Sequence, residues 1–98
     1  MKLLIVDDEK HVVNGLLQMV PWKELGFTDV ETAYDGEEAW GKVVKDRPDL
    51  LITDIYMPNM NGLELIRRVR ERDREMPVII LSGYDHFEYA KEAIHLGV

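Results

Sequence analysis

Cysteine is missing from all 98 residues, which excludes disulfides and thiolate metal sites and fits a reducing, cytoplasmic setting. Long hydrophobic runs are missing too: no apolar stretch approaches the length of a membrane span, and the amino terminus lacks the extended apolar region of a signal peptide. Positive charge is scarce. Twelve Lys and Arg against 19 Asp and Glu leave a formal net charge of -7, which argues against a chain that grips phosphate backbones by itself. Arg67, Arg68, Arg70, Arg72 and Arg74 alternate with Glu64, Glu71, Asp73 and Glu75, the pattern of a solvated helix face rather than a basic binding patch. Linkers, internal repeats and low-complexity segments do not occur. With 46% hydrophobic residues, the chain has enough for one small domain with a single core.

What is present is a strand-helix alternation. The run Leu3-Leu4-Ile5-Val6 predicts a strand over 2–6 with Asp7 and Asp8 at its tip. A helix over 9–20 follows, with Val13, Leu16, Leu17 and Val20 on one face and Pro21 as its stop. Trp22, Leu25 and Phe27 make a structural connector. A half-buried strand over 28–33 precedes a helix that starts at a capping box, Asp35 with Glu38, and buries Ala39, Trp40, Val43 and Val44. The stretch Leu50-Leu51-Ile52-Thr53-Asp54 reads as a buried strand that delivers Asp54 to its carboxyl-terminal end. After the Pro58/Asn59/Gly62 loop, a helix over 63–70 begins at a second capping box, Asn61 with Glu64. A fourth strand over 77–81 carries Ser82-Gly83 at its tip. A last helix starts near Asp85, uses Phe87, Ala90, Ala93 and Ile94, and ends at Gly97 as a cap.

The expected architecture is an α/β doubly wound parallel sheet built from four strand-helix units with right-handed crossovers. Open sheets of this kind place their sites at the carboxyl ends of the strands. Asp7, Asp8 and Asp54 should therefore meet at one edge, where three carboxylates repel one another and favour a cation. His11, His86 and His95 have no ligand spacing and read as surface residues. The fourth strand is too uniformly apolar for a bare edge. This predicts a chain cut short there, with self-association through the exposed strand.

Val6-Asp7-Asp8-Glu9, then Asp54 with Met57-Pro58 and Asn61-Gly62, then Ile80-Leu81-Ser82-Gly83, resemble the receiver domain of two-component response regulators. Pro21-Trp22, Leu25-Gly26-Phe27 and the stretch from Leu81 to Ala90 are similar to the subgroup whose output is an AraC-type DNA-binding module. The resemblance implies a flavodoxin-like fold, here with strand order 2-1-3-4 and without the fifth strand and helix. Residues 1–98 would then form a receiver domain incomplete at its carboxyl end. It implies that Asp54 is the phosphoacceptor and that Mg²⁺ is held by Asp8 and Asp54 directly, by Asp7 through water and by the Tyr56 backbone carbonyl. Ser82 would contact the phosphoryl group. The implied partner is a sensor histidine kinase, with DNA reached only through an output domain outside this chain.

The resemblance also implies a signalling domain rather than a turnover enzyme. Asn61 stands where the family often has Asp; both cap helices well. The missing elements would carry the lysine that pairs with the phosphoryl group, so a phosphorylation-incompetent interaction fragment is the alternative. A metal-dependent phosphohydrolase would want an acid two residues after the nucleophile, where Tyr56 stands. Tyr56 and Tyr84, each two residues beyond a site residue, are expected to shield an acyl phosphate from water.

Overall fold

The computed structural model describes residues 1–81 and 97. The elements run β1 Lys2–Val6, α1 Lys10–Met19, β2 Asp29–Ala33, α2 Gly36–Lys45, β3 Leu50–Asp54, α3 Gly62–Arg72 and β4 Val78–Leu81. Every strand pairing is parallel, in the order β2-β1-β3-β4, so the expected flavodoxin-like order is the observed one. The helix expected from near Asp85, and Ser82, Gly83 and Tyr84, lie outside the described residues. Gly97 has φ +74°, the left-handed backbone expected of a terminal cap.

The sheet separates two apolar layers. On one side Leu4, Val6, Leu51 and Val78 pack under α2 and α3 through Ala39, Val43, Leu65, Ile66 and Val69. On the other, Leu3, Ile5 and Ile52 pack under Val13 of α1, with Leu16, Trp22 and Phe27 half-buried around them. Alternate residues of β1 and β3 thus serve opposite layers, which is why both strands read as continuous apolar runs. Within each run the period-2 geometry sends Asp54 to the α1 side and Thr53 to the other.

Both expected N-caps form. Asp35 accepts from the Glu38 backbone N–H at 2.7 Å, and Asn61 accepts from that of Glu64 at 2.9 Å. Trp22 closes the other end of α1: its indole N–H donates to the Leu16 carbonyl at 2.9 Å, and its ring meets Phe27 edge-on with centroids 6.0 Å apart. The connector packs through Trp22 and Phe27 as its composition suggested, but Leu25 is 54% exposed. The α3 arginines stand on a largely exposed face, with Arg72 over the Trp40 ring and Arg47 paired to Asp73.

Three burial expectations need correcting. Leu17 and Val44 are exposed and Trp40 is only half-buried, because each helix has one covered stripe and these residues lie beyond its margin. Among the described residues β4 pairs with β3 alone and Ile79 is 49% exposed, in line with the exposed fourth strand expected from the sequence.

Candidate phosphoacceptor site

β1 and β3 are adjacent and in register, Val6 beside Thr53, so their tips deliver Asp7, Asp8 and Asp54 to one place. One carboxylate oxygen from each of the three lies within 4.8 Å of the others. Asp7 is buried, Asp54 half-buried and Asp8 exposed, which opens the cluster on the Asp8 side. The juxtaposition expected from the two apolar runs is therefore what the backbone produces. Tyr56, two residues beyond Asp54, is 47% exposed at the same lip. Ser82 lies outside the described residues.

Backbone amides orient the acids. The Glu9 N–H donates to Asp7 Oδ1 at 2.9 Å, and the Ile55 N–H donates to Asp54 Oδ1 at 2.7 Å. Burial nevertheless pushes the Asp7 carboxyl up to about 6, with repulsion from Asp54 and Asp8 adding to the rise and the Glu9 amide opposing it. Asp54 is raised for the same first reason, burial, then by the charges of Asp8 and Glu9, against the amides of Ile55 and Tyr56. Two acids held above their ordinary range, first by burial and then by neighbouring negative charge, mark a site that gains from positive charge.

The donor set is all carboxylate oxygen, which selects a hard cation. Such ions take oxygen ligands at roughly 2.0–2.6 Å, so three oxygens within 4.8 Å of one another can share one. The residues present therefore fit Mg²⁺.

Two contributors escaped the sequence reading. The first is the backbone of Gly62: a Cβ there would stand 1.9 Å from the Asp54 carbonyl oxygen, so the start of α3 rests directly on the tip of β3. The Gly62 N–H also donates to the Ile55 carbonyl at 2.7 Å. The second is Thr53, whose buried hydroxyl donates to the Asp54 carbonyl at 2.9 Å. Its one visible signal was a polar residue within an apolar strand.

The response regulator receiver domain model matches residues 3–98. The chain belongs to that family. This receiver domain is 42% identical over 97 residues to YesN, an uncharacterized transcriptional regulatory protein of Bacillus subtilis, covering 99% of the chain and 26% of YesN. It superposes on the receiver domain of AraT, a response regulator from Geobacillus stearothermophilus, with a TM-score of 0.89 and 41% identity, covering 97% of this chain and 74% of that one. It also superposes on the CheX–CheY complex with BeF3 and Mg²⁺ from Borrelia burgdorferi, with a TM-score of 0.85 and 32% identity, covering 99% and 72%. Receiver domains are signalling domains, and an acidic pocket for Mg²⁺ is general to them. Among the described residues no helix is long and apolar enough to cross a membrane.

Proposed function

We propose that this receiver domain acts in the cytoplasm and takes a phosphoryl group from the phosphohistidine of a sensor histidine kinase onto Asp54. The observation that carries the reading is the meeting of Asp7, Asp8 and Asp54 carboxylates at the tips of β1 and β3. Asp8 and Asp54, with Asp7 and the Tyr56 backbone carbonyl, would hold Mg²⁺. When bound, the ion neutralises the charge that otherwise keeps a carboxylate and a phosphoryl group apart. The similarity to a CheY solved with BeF3 and Mg²⁺ supports that assignment.

Asp54 supplies the nucleophile. A carboxylate oxygen forms the new bond to phosphorus as the phosphorus–nitrogen bond to the donor imidazole breaks, and the imidazole keeps the electron pair and takes a proton from water. The Ile55 N–H fixes one Asp54 oxygen. Ser82 is assigned the hydroxyl that donates to a phosphoryl oxygen, on its place in the sequence. Asp54 is a phosphoacceptor rather than a turnover catalyst. The output is transcriptional, as in the relative YesN, a transcriptional regulatory protein, through DNA contacts made outside these residues.

Incubation with acetyl phosphate and Mg²⁺ followed by intact-mass measurement tests this. The expected result is one labile phosphoryl adduct, lost on chelation and absent from Asp54→Asn. An adduct that persists in Asp54→Asn contradicts the assignment.

A second reading, association of two copies through β4, is favoured by the exposure of Ile79 on a strand paired on one side among the described residues. Light scattering over a concentration series tests it. Growth in mass that Ile79→Lys abolishes is the expected result, and a monomer throughout contradicts it.

A further inference from the structure

Thr53 is completely buried in β3, between Val6 of β1 and Ile80 of β4. It stands on the face where Leu51, Val6 and Ile80 form an apolar layer. Valine has nearly the same shape and suits such a layer better, since a buried hydroxyl costs free energy unless it finds an acceptor. Here the hydroxyl finds the carbonyl oxygen of the next residue, at 2.9 Å. That residue is Asp54, and the same oxygen lies where a Cβ at Gly62 would stand 1.9 Å away. The Asp54 carbonyl is thus held from two sides, by a hydroxyl from its own strand and by the bare Cα of Gly62.

Beyond the carbonyl, the peptide continues to the Ile55 N–H, which donates to Asp54 Oδ1 at 2.7 Å. One rigid peptide plane therefore joins the Thr53 hydroxyl on the buried face to the carboxylate on the site face. Rotation of that plane would carry the Ile55 N–H off the carboxylate and turn Asp54 away from Asp7 and Asp8.

We propose that Thr53 is a positioning residue whose hydroxyl fixes the Asp54–Ile55 peptide plane and through it the aim of the Asp54 carboxylate. It touches neither donor nor ion. The inference rests on the reading of Asp54 as phosphoacceptor, and it requires the hydroxyl rather than the bulk of residue 53.

Thr53→Val and Thr53→Ser separate the two. Valine keeps shape and removes the hydroxyl; serine keeps the hydroxyl and removes a methyl. Thr53→Val is expected to melt at or above the wild-type temperature, yet to lose on the order of tenfold in the maximal rate of phosphorylation by acetyl phosphate. The acetyl phosphate concentration for half-maximal rate should stay the same. Thr53→Ser is expected to melt lower and to keep the rate. The Ile55 amide proton, followed by NMR, should exchange faster with solvent in Thr53→Val and not in Thr53→Ser.

Wild-type rate and Ile55 exchange in Thr53→Val, or equal losses in both variants, overturn the proposal. If the wild-type chain takes no phosphoryl group while the Ile55 amide still responds to valine alone, the phosphoacceptor reading fails and the positioning role stands.

Discussion

Carboxylate oxygens of Asp7 and Asp54 lie within 4.8 Å of each other at the tips of neighbouring strands, the first acid buried and the second half-buried. Two like charges that close in a partly dry setting destabilise the fold that holds them, and the cost is recovered only with a cation. Asp7→Asn should therefore stabilise the metal-free protein. The rise of the Asp7 carboxyl from 3.8 to about 6 corresponds to about 3 kcal/mol at neutral pH as an upper figure. The amide oxygen can still accept from the Glu9 N–H. Urea denaturation in chelator checks this: a higher midpoint for Asp7→Asn is expected, and a lower one contradicts the electrostatic account.

The pH dependence has a definite sign. Because the folded Asp7 carboxyl titrates near 6 and the unfolded one near 3.8, the folded state binds the proton more tightly between those values. Metal-free stability from this group therefore grows as pH falls from 7 towards 4 and is lost as pH rises through about 6. Asp54 is displaced in the same direction. The difference in urea midpoint between wild type and Asp7→Asn should be largest at pH 7–8 and shrink towards pH 4; a constant difference contradicts it. Saturating Mg²⁺, which binds the ionised carboxylates, should oppose the trend.

The glycines divide by what surrounds them. A Cβ at Gly62 would meet the Asp54 carbonyl oxygen at 1.9 Å, and one at Gly36 the Met60 carbonyl oxygen at 2.1 Å, both backbone atoms that cannot move aside cheaply. Gly62→Ala and Gly36→Ala should each cost roughly 3 kcal/mol or more. Gly15 and Gly41 sit within α1 and α2 with open space around them, so alanine there should add about 0.5–1 kcal/mol. Thermal midpoints of the four variants check the division, and a stable Gly62→Ala would contradict the close approach of α3 to β3.

Tyr56, two residues beyond Asp54, is 47% exposed at the open lip of the acid cluster. A ring beside an acyl phosphate excludes attacking water, so Tyr56→Ala should shorten the lifetime of phosphorylated Asp54 several-fold, on the order of the gains seen when a site is closed to solvent. Decay of the intact-mass adduct after removal of donor measures it. An unchanged lifetime removes Tyr56 from any shielding role.

Much of this was legible because the decisive signals are local. Leu3 to Val6 and Leu50 to Thr53 are runs that only a buried parallel strand explains, and the acids that end them fall at the strand tips by register alone. Capping at Asp35 and Asn61 is likewise written within four residues. The exposure of Leu17 and Val44 was not legible, since it depends on how far a neighbouring element reaches. Nor was the hold of Thr53 and Gly62 on the Asp54 carbonyl, which is a backbone approach with no pattern in side-chain type.

The central claim is that acids from two strand tips share one ion. The direct measurement is the rise in thermal midpoint on titrating Mg²⁺ into wild type, Asp8→Ala, Asp54→Ala and the double variant, since a ligand bound by the folded state alone must raise it. A saturable rise in wild type is predicted, lost in either single variant and no further reduced in the double, as one shared site requires. A rise that survives in both single variants would contradict the account.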